Sequence, residues 1–529
     1  MQYDFMRIQS LPWYTIFMDA IDLSVFSSRI DAICEEMGVV LRRTAFSPNI
    51  VDRLDFSCAI FDAAGLLCAQ AAHIPVHLGS MAYAMSSIIC QVDWQDGDMV
   101  ILNDPYLGGT HLPDVTLISP VFVEGKLQAF VTNRAHHADI GADSPGSMPL
   151  SSSLQEEGLV IPPTILVRKG ELDRSVMQAI THATRQPQQA QGDFSAQISA
   201  CQKGLSSLML IIRSMGCDIF QQALVELNDY AYKLATASLT DIPDGSYYAE
   251  DVMDDDGLGN KDILIRLALT INNDQVELDF NGSADQVSGN INCPLSVTAA
   301  AAYYVFRCLM PDYTPACQGS FRNLKLTVPE ACLLNACYPA AVAAGNVETS
   351  SRIVDIILAA LAQAIPARIP AASQGSMNNL AMGSALTGNS WDYYETMGGG
   401  MGASAGKNGL SAVQTHMTNT LNTPVEVLER RYPVRIRQYA IRRNSGGQGH
   451  YQGGDGLVRA FEFLKPAQVT LLTERRRHSP AGLAGGGAGK AGCNWLNQKI
   501  LPGKVSLDVH SGDILTIETP GAGGWGKRG

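Results

Sequence analysis

The chain has 529 residues, of which 46% are hydrophobic and 17% charged, and its 51 acidic and 38 basic residues give a net charge of −13. This length predicts two or three domains, and the acidic balance disfavours nucleic acid or another polyanion as a partner. Ordinary globular domains carry about 25% charged residues. The lower charged fraction here predicts that a partner protein covers part of the surface.

Cysteine usage and the N-terminal residues predict a cytoplasmic protein. The twelve cysteines are scattered without a C-x-x-C pair, as is typical of free thiols in a reducing compartment. Asp19 and Asp22 interrupt the apolar stretch near the N-terminus, and no small-residue cleavage site follows. We therefore expect no signal peptide, no membrane span and a cytoplasmic location.

The hydrophobic pattern predicts an α+β mixed fold, with helices packed on antiparallel or mixed sheets and a β-rich, glycine-loop C-terminal region. We divide the chain into an N-terminal domain at 1–240 that holds the candidate metal site, a central α/β region at 241–429 and a β-rich region at 430–529. The predicted elements, in chain order, are a helix over 22–43, a strand over 55–61, a hairpin over 115–132, a helical segment over 192–232, strands over 263–271 and 276–280, helices over 299–309 and 353–364, and strands over 469–473 and 505–509.

The predicted hairpin carries side chains that can bind a metal ion. Its β-prone runs lie at 115–122 and 127–132, and the residues between them are predicted to form the turn. With a two-residue turn, Asp114 lies diagonally from His137; with a three-residue turn, it lies directly opposite His136. Opposed side chains stand about 5 Å apart on one face of a sheet. Either register therefore brings an imidazole to Asp114.

His111 completes a candidate metal site. It lies three residues before Asp114, and Pro113 keeps the intervening tripeptide out of a helix, so that a turn can fold His111 back onto the site. Two neutral imidazoles and one carboxylate suit Zn²⁺, Mn²⁺ or Fe²⁺, and three protein ligands leave a position open for water or substrate. We predict a site of His111, Asp114 and either His136 or His137. The alternative interpretation is a group of hydrogen-bonded turn histidines.

Asp55 and Asp139 are further candidates for this site. Arg53 and Asp55 alternate along the predicted strand and project to one face. Asp55 could be a fourth ligand or a carboxylate that orients one, and a salt bridge to Arg53 is the alternative. Asp139 follows the histidine pair closely, and we expect it to orient a ligand and assist catalysis.

Glu348 and Glu395 are candidate catalytic carboxylates. Glu348 lies in a glycine-introduced loop before a predicted helix, where it could act as acid or base, and helix capping by Thr349 or Ser350 is the favoured alternative. Glu395 precedes the glycine-rich loop at 398–402. A flexible, amide-rich loop beside this carboxylate could line a substrate pocket.

His73 and His77 lie on either side of Pro75. In an extended segment their side chains would share a face but stand roughly 13 Å apart, which is too far for one metal ion. We therefore expect packing or hydrogen bonding for at least one of them.

The glycine clusters of the chain do not predict a nucleotide site. A P-loop needs a lysine and a hydroxyl residue directly after its glycines, and the nearest match, Gly489-Lys490, is followed by Ala491. We expect most of these glycines to form turns between short strands. An ATP-dependent reaction would therefore need another polypeptide. The clusters lie at 398–402, 446–454, 485–489 and 521–526.

Long, ordered motifs along nearly the whole chain resemble one protein family. They are RRTAFSPNIVDRLDFSCAIFD at 42–62, HIPVHLGSM at 73–81, NDPY-x-GGTHLPDV at 103–115, NRAHHADIG at 133–141, DFNGSADQVSGNIN at 279–292, AAGNVETSSRIVD at 343–355, YYETMGGGMGA at 393–403, HMTNTLNTPVEVLERRYPVR at 416–435 and SGGQGHYQGGDGLVR at 445–459. These segments resemble the hydantoinase B/oxoprolinase family, to which the larger subunits of acetone carboxylase are related.

The resemblance implies a metal-bearing subunit of a two-component, ATP-dependent amidohydrolase that opens a cyclic amide. The implied substrates are 5-oxoproline, hydantoin or N-methylhydantoin, or a simple lactam. ATP and Mg²⁺ would bind to an actin-like, A-type companion subunit in a hetero-oligomer such as A2B2. A manganese site in the carboxylase relatives favours a metal here. The alternative is ATP-dependent carboxylation of a small ketone such as acetone, and the intact motifs disfavour a non-enzymatic companion.

Overall fold

The computed structural model describes residues 18–72, 74–385 and 390–528. Within these ranges helices pack against mostly antiparallel sheets, which confirms the predicted α+β class. The helices are α1 (Ala20–Thr44), α2 (Pro48–Val51), α3 (Ser80–Ile88), α4 (Arg174–His182), α5 (Pro187–Met215), α6 (Cys217–Leu239), α7 (Leu295–Arg307), α8 (Ser350–Ala364) and α9 (Val425–Arg431).

The strands of the described residues form four sheets. The strands are β1 (Phe56–Asp62), β2 (Leu67–Ala72), β3 (Met99–Leu102), β4 (Asp114–Val123), β5 (Lys126–His136), β6 (Thr164–Arg168), β7 (Glu171–Leu172), β8 (Gly245–Asp255), β9 (Lys261–Asn272), β10 (Gln275–Asp279), β11 (Leu324–Thr327), β12 (Asn379–Ser384), β13 (Trp391–Glu395), β14 (Val434–Arg442), β15 (Gly456–Phe463), β16 (Ala467–Leu472), β17 (Cys493–Leu496), β18 (Lys499–Leu501), β19 (Lys504–Val509) and β20 (Ile514–Glu518). Their orders are β2-β1-β5-β4-β3-β6-β7, β11-β10-β9-β8, β13-β12-β16-β19 and β14-β15-β20-β17-β18.

The seven-stranded sheet lies between two helical layers. On one face α1 and α5 bury an apolar stripe that includes Phe26, Ile30 and Met37. On the other face α3 packs Met81 and Met85 against the sheet. Because both faces are covered, polar side chains at the ends of its central strands must find their partners inside the fold.

The hairpin of β4 and β5 sets the register of the candidate site. Glu124 and Gly125, both at positive φ, form a two-residue turn, the kind of turn whose twist matches the strands. Near this turn β5 holds one extra residue, Gln128, so the pairing shifts by one. Beyond this bulge Asp114 lies directly opposite His136. The structure combines the shorter predicted turn with the pairing expected from the longer one.

The predicted helical segment over 192–232 is two helices rather than one. Gly216 separates α5 from α6, and its φ of 88° cannot continue a right-handed helix. The two helices are bent by 106° relative to each other. No single helix of the described residues is long and apolar enough to cross a bilayer, although this bent pair meets both limits by length and composition.

The central and C-terminal parts of the chain share a sheet and a buried ion-pair network. β12 and β13 pair with each other, and β12 pairs with β16, which pairs with β19. Arg352 on α8 contacts Glu474 at 3.1 Å, and Arg475 contacts Asp355 at 2.7 Å. These contacts hold α8 against the C-terminal strands. The domain divisions at 240 and 430 stay predictions.

Candidate metal centre

Three side chains meet at the end of the hairpin. His111 Nε2 lies 3.3 Å from Asp114 Oδ1 and 3.2 Å from His136 Nδ1. His136 Nδ1 lies 3.2 Å from the same carboxylate oxygen. All three residues are buried. Within the described ranges, this is the group of histidine, cysteine and acidic side chains whose atoms lie close enough together to share one ion.

A short turn and the strand pairing bring these residues to one point. Asp114 N donates to the His111 carbonyl at 3.1 Å, which closes the turn through Pro113. Proline has no backbone N–H and disfavours a helix here, so the chain turns and directs His111 back toward β4. His136 arrives on β5, opposite Asp114. Two residues from one turn and one from the facing strand therefore share a site.

The three atoms fit a divalent ion. A tetrahedral ion with bonds of about 2.0–2.1 Å keeps its ligand atoms about 3.3 Å apart, and the observed separations are 3.2–3.3 Å. His111 Nδ1 donates to the Ala343 carbonyl at 3.2 Å, which leaves the lone pair of its Nε2 for the cluster. Two imidazoles and one carboxylate also leave a coordination position open. The donor set suits a catalytic ion such as Zn²⁺, Mn²⁺ or Fe²⁺.

The second oxygen of Asp114 is held by two further side chains. Thr110 Oγ1 donates to Asp114 Oδ2, and His77 Nε2 lies 3.4 Å from the same oxygen. His77 Nδ1 in turn lies 3.0 Å from Ser57 Oγ on β1. Such outer contacts fix the orientation of a ligand and tune its basicity.

His77 is a site residue that the sequence reasoning missed. The expected hydrogen-bonding role for one of the two histidines is confirmed for His77, while His73 lies outside the described residues. The extended segment that the distance argument assumed is not observed, because Pro75–His77 forms a 3-10 turn. The signal was present in the family motif at 73–81, which contains His77 and precedes the metal motif at 103–115.

Burial and mutual contacts set the charges of the cluster. Burial alone would raise the pKa of Asp114, but His111, His136 and His77 hold that pKa well below its usual range. Burial lowers the pKa of His111, yet the Asp114 charge outweighs it and raises this pKa. Burial lowers the pKa of His136. A divalent ion at the cluster would therefore compete with a proton for His111.

Tyr394 holds the ring of His136 from the central part of the chain. The two rings stack with centroids 4.8 Å apart and an interplanar angle of 14°. The Tyr394 hydroxyl donates to Asn379 Oδ1 at 2.7 Å, and Asn379 Nδ2 donates to Glu348 Oε1 at 2.6 Å. His136 Nε2 is buried without a hydrogen-bond partner in the described part of the chain. The ring is therefore fixed while one of its nitrogens remains unpaired.

A small cavity adjoins the cluster. The space accessible to the centre of a water molecule is about 20 Å³, which is room for about one water. Its walls come from both the N-terminal and the central parts of the chain, and they combine hydroxyl groups with apolar side chains. The lining residues are Asp55, Ile74, Val76, His77, Asp114, His136, Asn346, Val347, Met377, Tyr394, Thr396, Met417, Thr418 and Thr420.

The structure does not bring His137 to the cluster. Successive side chains of a strand project to opposite faces, so the chain that delivers His136 turns His137 away. His137 Nε2 lies 2.9 Å from Gln197 Oε1, and its ring stacks on Phe194 with centroids 4.2 Å apart. Of the two histidines left open by the sequence, His136 is the one beside Asp114.

The two further aspartates take different positions. Asp55 contacts Arg53 at 3.7 Å, as the salt-bridge alternative predicted, and it lines the cavity without joining the three-atom set. Asp139 accepts from Ser147 Oγ at 3.1 Å and contacts Arg185 at 3.3 Å. The structure therefore does not place Asp139 against a histidine of the cluster.

Glu348 lies in a π-helical turn, Gly345–Thr349, that runs directly into α8. The expected helix cap is wrong: Thr349 Oγ1 donates to the Ile291 carbonyl, and Ser350 has no capping bond. The buried Glu348 carboxylate supports Asn379 and does not line the cavity. Through Asn379, the carboxylate helps to hold the hydroxyl group of Tyr394 in place.

Glu395 is also directed away from the cavity. It is fully buried and contacts Arg459 at 2.7 Å. The glycine loop at 398–402 packs closely on other backbone, since a Cβ added to Gly400 would lie 2.2 Å from the Gly454 carbonyl oxygen. The structure brings neither Glu395 nor this loop to the three-atom cluster.

The chain is similar to known proteins along most of its length. The sequence model of the hydantoinase B/oxoprolinase family matches residues 19–528. The chain is 41% identical to 5-oxoprolinase 1 of Arabidopsis thaliana over 96% of its own length, but it spans only 42% of that longer protein.

Two solved structures share the fold. The crystal structure of ATP-dependent caprolactamase from Pseudomonas jessenii superposes with a TM-score of 0.91 at 27% identity, covering 96% of this chain and 91% of that one. The nucleotide-free acetone carboxylase structure superposes with a TM-score of 0.87 at 18% identity, covering 96% and 76%, a likeness of fold alone. The match over nearly all residues shows that the chain belongs to the hydantoinase B/oxoprolinase family.

Proposed function

We propose that this chain is the metal-bearing subunit of an ATP-dependent enzyme that opens a cyclic amide such as 5-oxoproline, a hydantoin or a lactam. The observation that carries the proposal is the triangle of His111 Nε2, Asp114 Oδ1 and His136 Nδ1 beside a cavity. The likeness to a 5-oxoprolinase and to an ATP-dependent caprolactamase supports a ring amide as the substrate.

The residues around the cluster suit this chemistry. When bound, a Zn²⁺, Mn²⁺ or Fe²⁺ ion would lower the pKa of a bound water toward about 7 and polarise the amide carbonyl. Thr396, Thr418 and Thr420 offer hydroxyl groups for the amide edge of a ring. Met377 and Met417 offer apolar surface for its methylene edge. Few polar groups on an otherwise apolar wall are typical of small-molecule sites.

A substrate ring requires a wider cavity than the one described. Small-molecule sites usually enclose about 300–1,000 Å³, whereas the space here is about 20 Å³. We propose that the N-terminal and central walls part when the substrate binds. Closure around the ring would then exclude water other than the attacking molecule.

We propose that ATP and Mg²⁺ bind to a separate actin-like, A-type subunit in a hetero-oligomer such as A2B2. The glycine clusters of this chain lack the residues of a P-loop, and more than half of the Arabidopsis 5-oxoprolinase lies outside the match. An unstrained amide resists water because resonance lowers the electrophilicity of its carbonyl, so ATP supplies the driving force. The cytoplasm is the proposed compartment, because all twelve cysteines are unpaired.

Metal content tests the proposed site. We expect the purified chain to bind about one divalent ion, and Asp114→Asn and His136→Gln to lose it because each removes one of three ligands. His137→Gln is the matched control, since it changes the adjacent histidine outside the triangle. Elemental analysis and competition with a chelator measure the binding. Equal metal content in all four proteins would exclude this cluster as the site.

Turnover with the companion subunit tests the reaction. We expect ADP release to accompany opening of at least one ring among 5-oxoproline, hydantoin and caprolactam, and to fall to background in Asp114→Asn. The His137→Gln control should retain activity. ADP release with acetone and bicarbonate, and with no cyclic amide, would reject ring opening in favour of ketone carboxylation.

A further inference from the structure

Glu157 is a fully buried carboxylate outside the three-atom cluster. It ends the 3-10 turn Leu154–Glu157. Its Oε1 accepts from Ser151 Oγ at 2.8 Å and from the backbone amides of Val342 and Ala343, both at 2.9 Å. A buried carboxylate is tolerated only where donors satisfy it. Here two of the three donors belong to a distant backbone segment.

Ala343 connects this carboxylate to the cluster. Its amide donates to Glu157, and its carbonyl accepts from His111 Nδ1 at 3.2 Å. The Ala343 amide and carbonyl lie in adjacent peptide planes that meet at one Cα. Glu157 anchors the first plane, and the second is held where the Ala344 amide donates to the Asn290 carbonyl at 2.9 Å, so a shift of the first plane would turn the carbonyl about this point. Within the described part of the chain, the amides of Val342 and Ala343 both donate to the side chain of Glu157.

The position of this carbonyl selects the tautomer of His111. A carbonyl accepts but does not donate, so the proton must reside on Nδ1. His111 Nε2 then directs a lone pair toward Asp114 and His136. In the opposite tautomer an N–H would point into the triangle and occupy the place of an ion.

We propose that Glu157 is a positioning residue for His111: it fixes the Ala343 carbonyl, which holds the metal-binding tautomer of the imidazole. The effect on metal affinity rests on the proposed function. The tautomer itself is a property of the metal-free chain, so it can be measured independently of any reaction.

Four variants test whether the position of the Glu157 acceptor or its charge affects His111. Glu157→Ala removes the acceptor, and Glu157→Asp withdraws it by one methylene group. Glu157→Gln loses the charge but keeps an oxygen that can accept from the same donors. Glu156→Ala is the matched control, because Glu156 is exposed and bonds only to neighbours in its own turn, Ser152 and Ser153.

The first measurement is the ¹⁵N spectrum of the histidine rings in the metal-free chain, at a pH high enough that the His111 ring is neutral, with the His111 signals assigned from a His111→Gln variant. We expect an Nδ1–H tautomer in the wild type, in Glu156→Ala and in Glu157→Gln, and a mixture of tautomers in Glu157→Ala. If Glu157→Ala does not fold, Glu157→Asp provides the contrast with Glu157→Gln. An unchanged tautomer in every folded Ala or Asp variant overturns the inference.

The second measurement is the metal dissociation constant. We expect an increase of about 10–100-fold in Glu157→Ala or Glu157→Asp and a change within about threefold in Glu157→Gln. If Glu157→Gln and Glu157→Ala weaken metal binding equally, the charge of Glu157 and not its position determines the affinity, and the proposal is overturned. If the wild type binds no ion at the cluster, the proposed function fails, and the tautomer of the metal-free variants still decides the role of Glu157.

Discussion

At the scale of single residues, the site depends on which nitrogen of each imidazole reaches the cluster. His111 uses Nε2 because its Nδ1 is bound to the Ala343 carbonyl, whereas His136 uses Nδ1. The choice at His136 follows from its position opposite Asp114 and from the stacked ring of Tyr394. Backbone and aromatic partners thus decide the ligand atoms, although neither is a ligand.

Variants of Tyr394 separate the contribution of its stacked ring from that of its hydroxyl group. Tyr394→Phe keeps the stacked ring but leaves Asn379 Oδ1 without its donor, so we expect a loss of about 1–2 kcal/mol in stability with the metal retained. Tyr394→Ala also removes the stack and should lower the stability by about 3–5 kcal/mol and weaken metal binding. Urea unfolding and metal titration measure both effects, and the exposed Tyr313→Phe serves as control. Equal metal affinity in the Phe and Ala variants would contradict the role of the ring.

At the scale of elements, apolar periodicity locates helices and strands because burial of one face dominates their placement. The observed α1 extends the predicted helix by one or two residues at each end. Periodicity does not report single-residue departures from regular backbone. The break at Gly216, the extra residue Gln128 in β5 and the π-helical turn before α8 were therefore not predicted.

The π-helical turn carries a pH-dependent contribution to stability. Burial, with Glu474 nearby, raises the pKa of Glu348 from its ordinary value of 4.5 to about 8, and Lys504 only partly opposes this. The folded chain therefore holds this proton more tightly than the unfolded chain, and stability falls as the pH rises from about 4.5 to about 8. Between pH 5 and 7 the loss is about 2.5 kcal/mol.

Glu348→Gln should remove the part of the pH dependence of stability that is due to Glu348, because the amide of glutamine stays neutral. Urea unfolding of the wild type and the variant at pH 5, 6, 7 and 8 measures the difference. Glu330→Gln changes an exposed glutamate and should leave the slope as it is. A variant that loses stability with pH as steeply as the wild type would show that Glu348 is ionised throughout.

At the scale of the whole molecule, the cluster lies where the seven-stranded sheet meets the central part of the chain. All three cluster residues lie before residue 137, but Ala343 and Tyr394, which position two of them, come from the central part. An ion bound here therefore depends on the docking of these parts, and it should stabilise their association.

A chelator should lower the thermal stability of the whole chain. An ion present at 1,000 times its dissociation constant stabilises a folded protein by about 4 kcal/mol. We expect EDTA to lower the melting temperature of the wild type and of His137→Gln by several degrees. Asp114→Asn should melt at the same temperature with and without EDTA. A chelator shift that persists in Asp114→Asn would place the stabilising ion elsewhere.

The sequence by itself determined the family, the α+β class and the group of His111, Asp114 and a histidine from the next strand, because these follow from motif spacing and from the two-residue period of strands. Tertiary structure decided between His136 and His137 through the bulge in β5. It also added His77, Glu157 and Tyr394, and it gave Asp139 and Glu395 other partners. These contacts join residues far apart in the chain, and local periodicity carries no information on which distant side chains share a buried space.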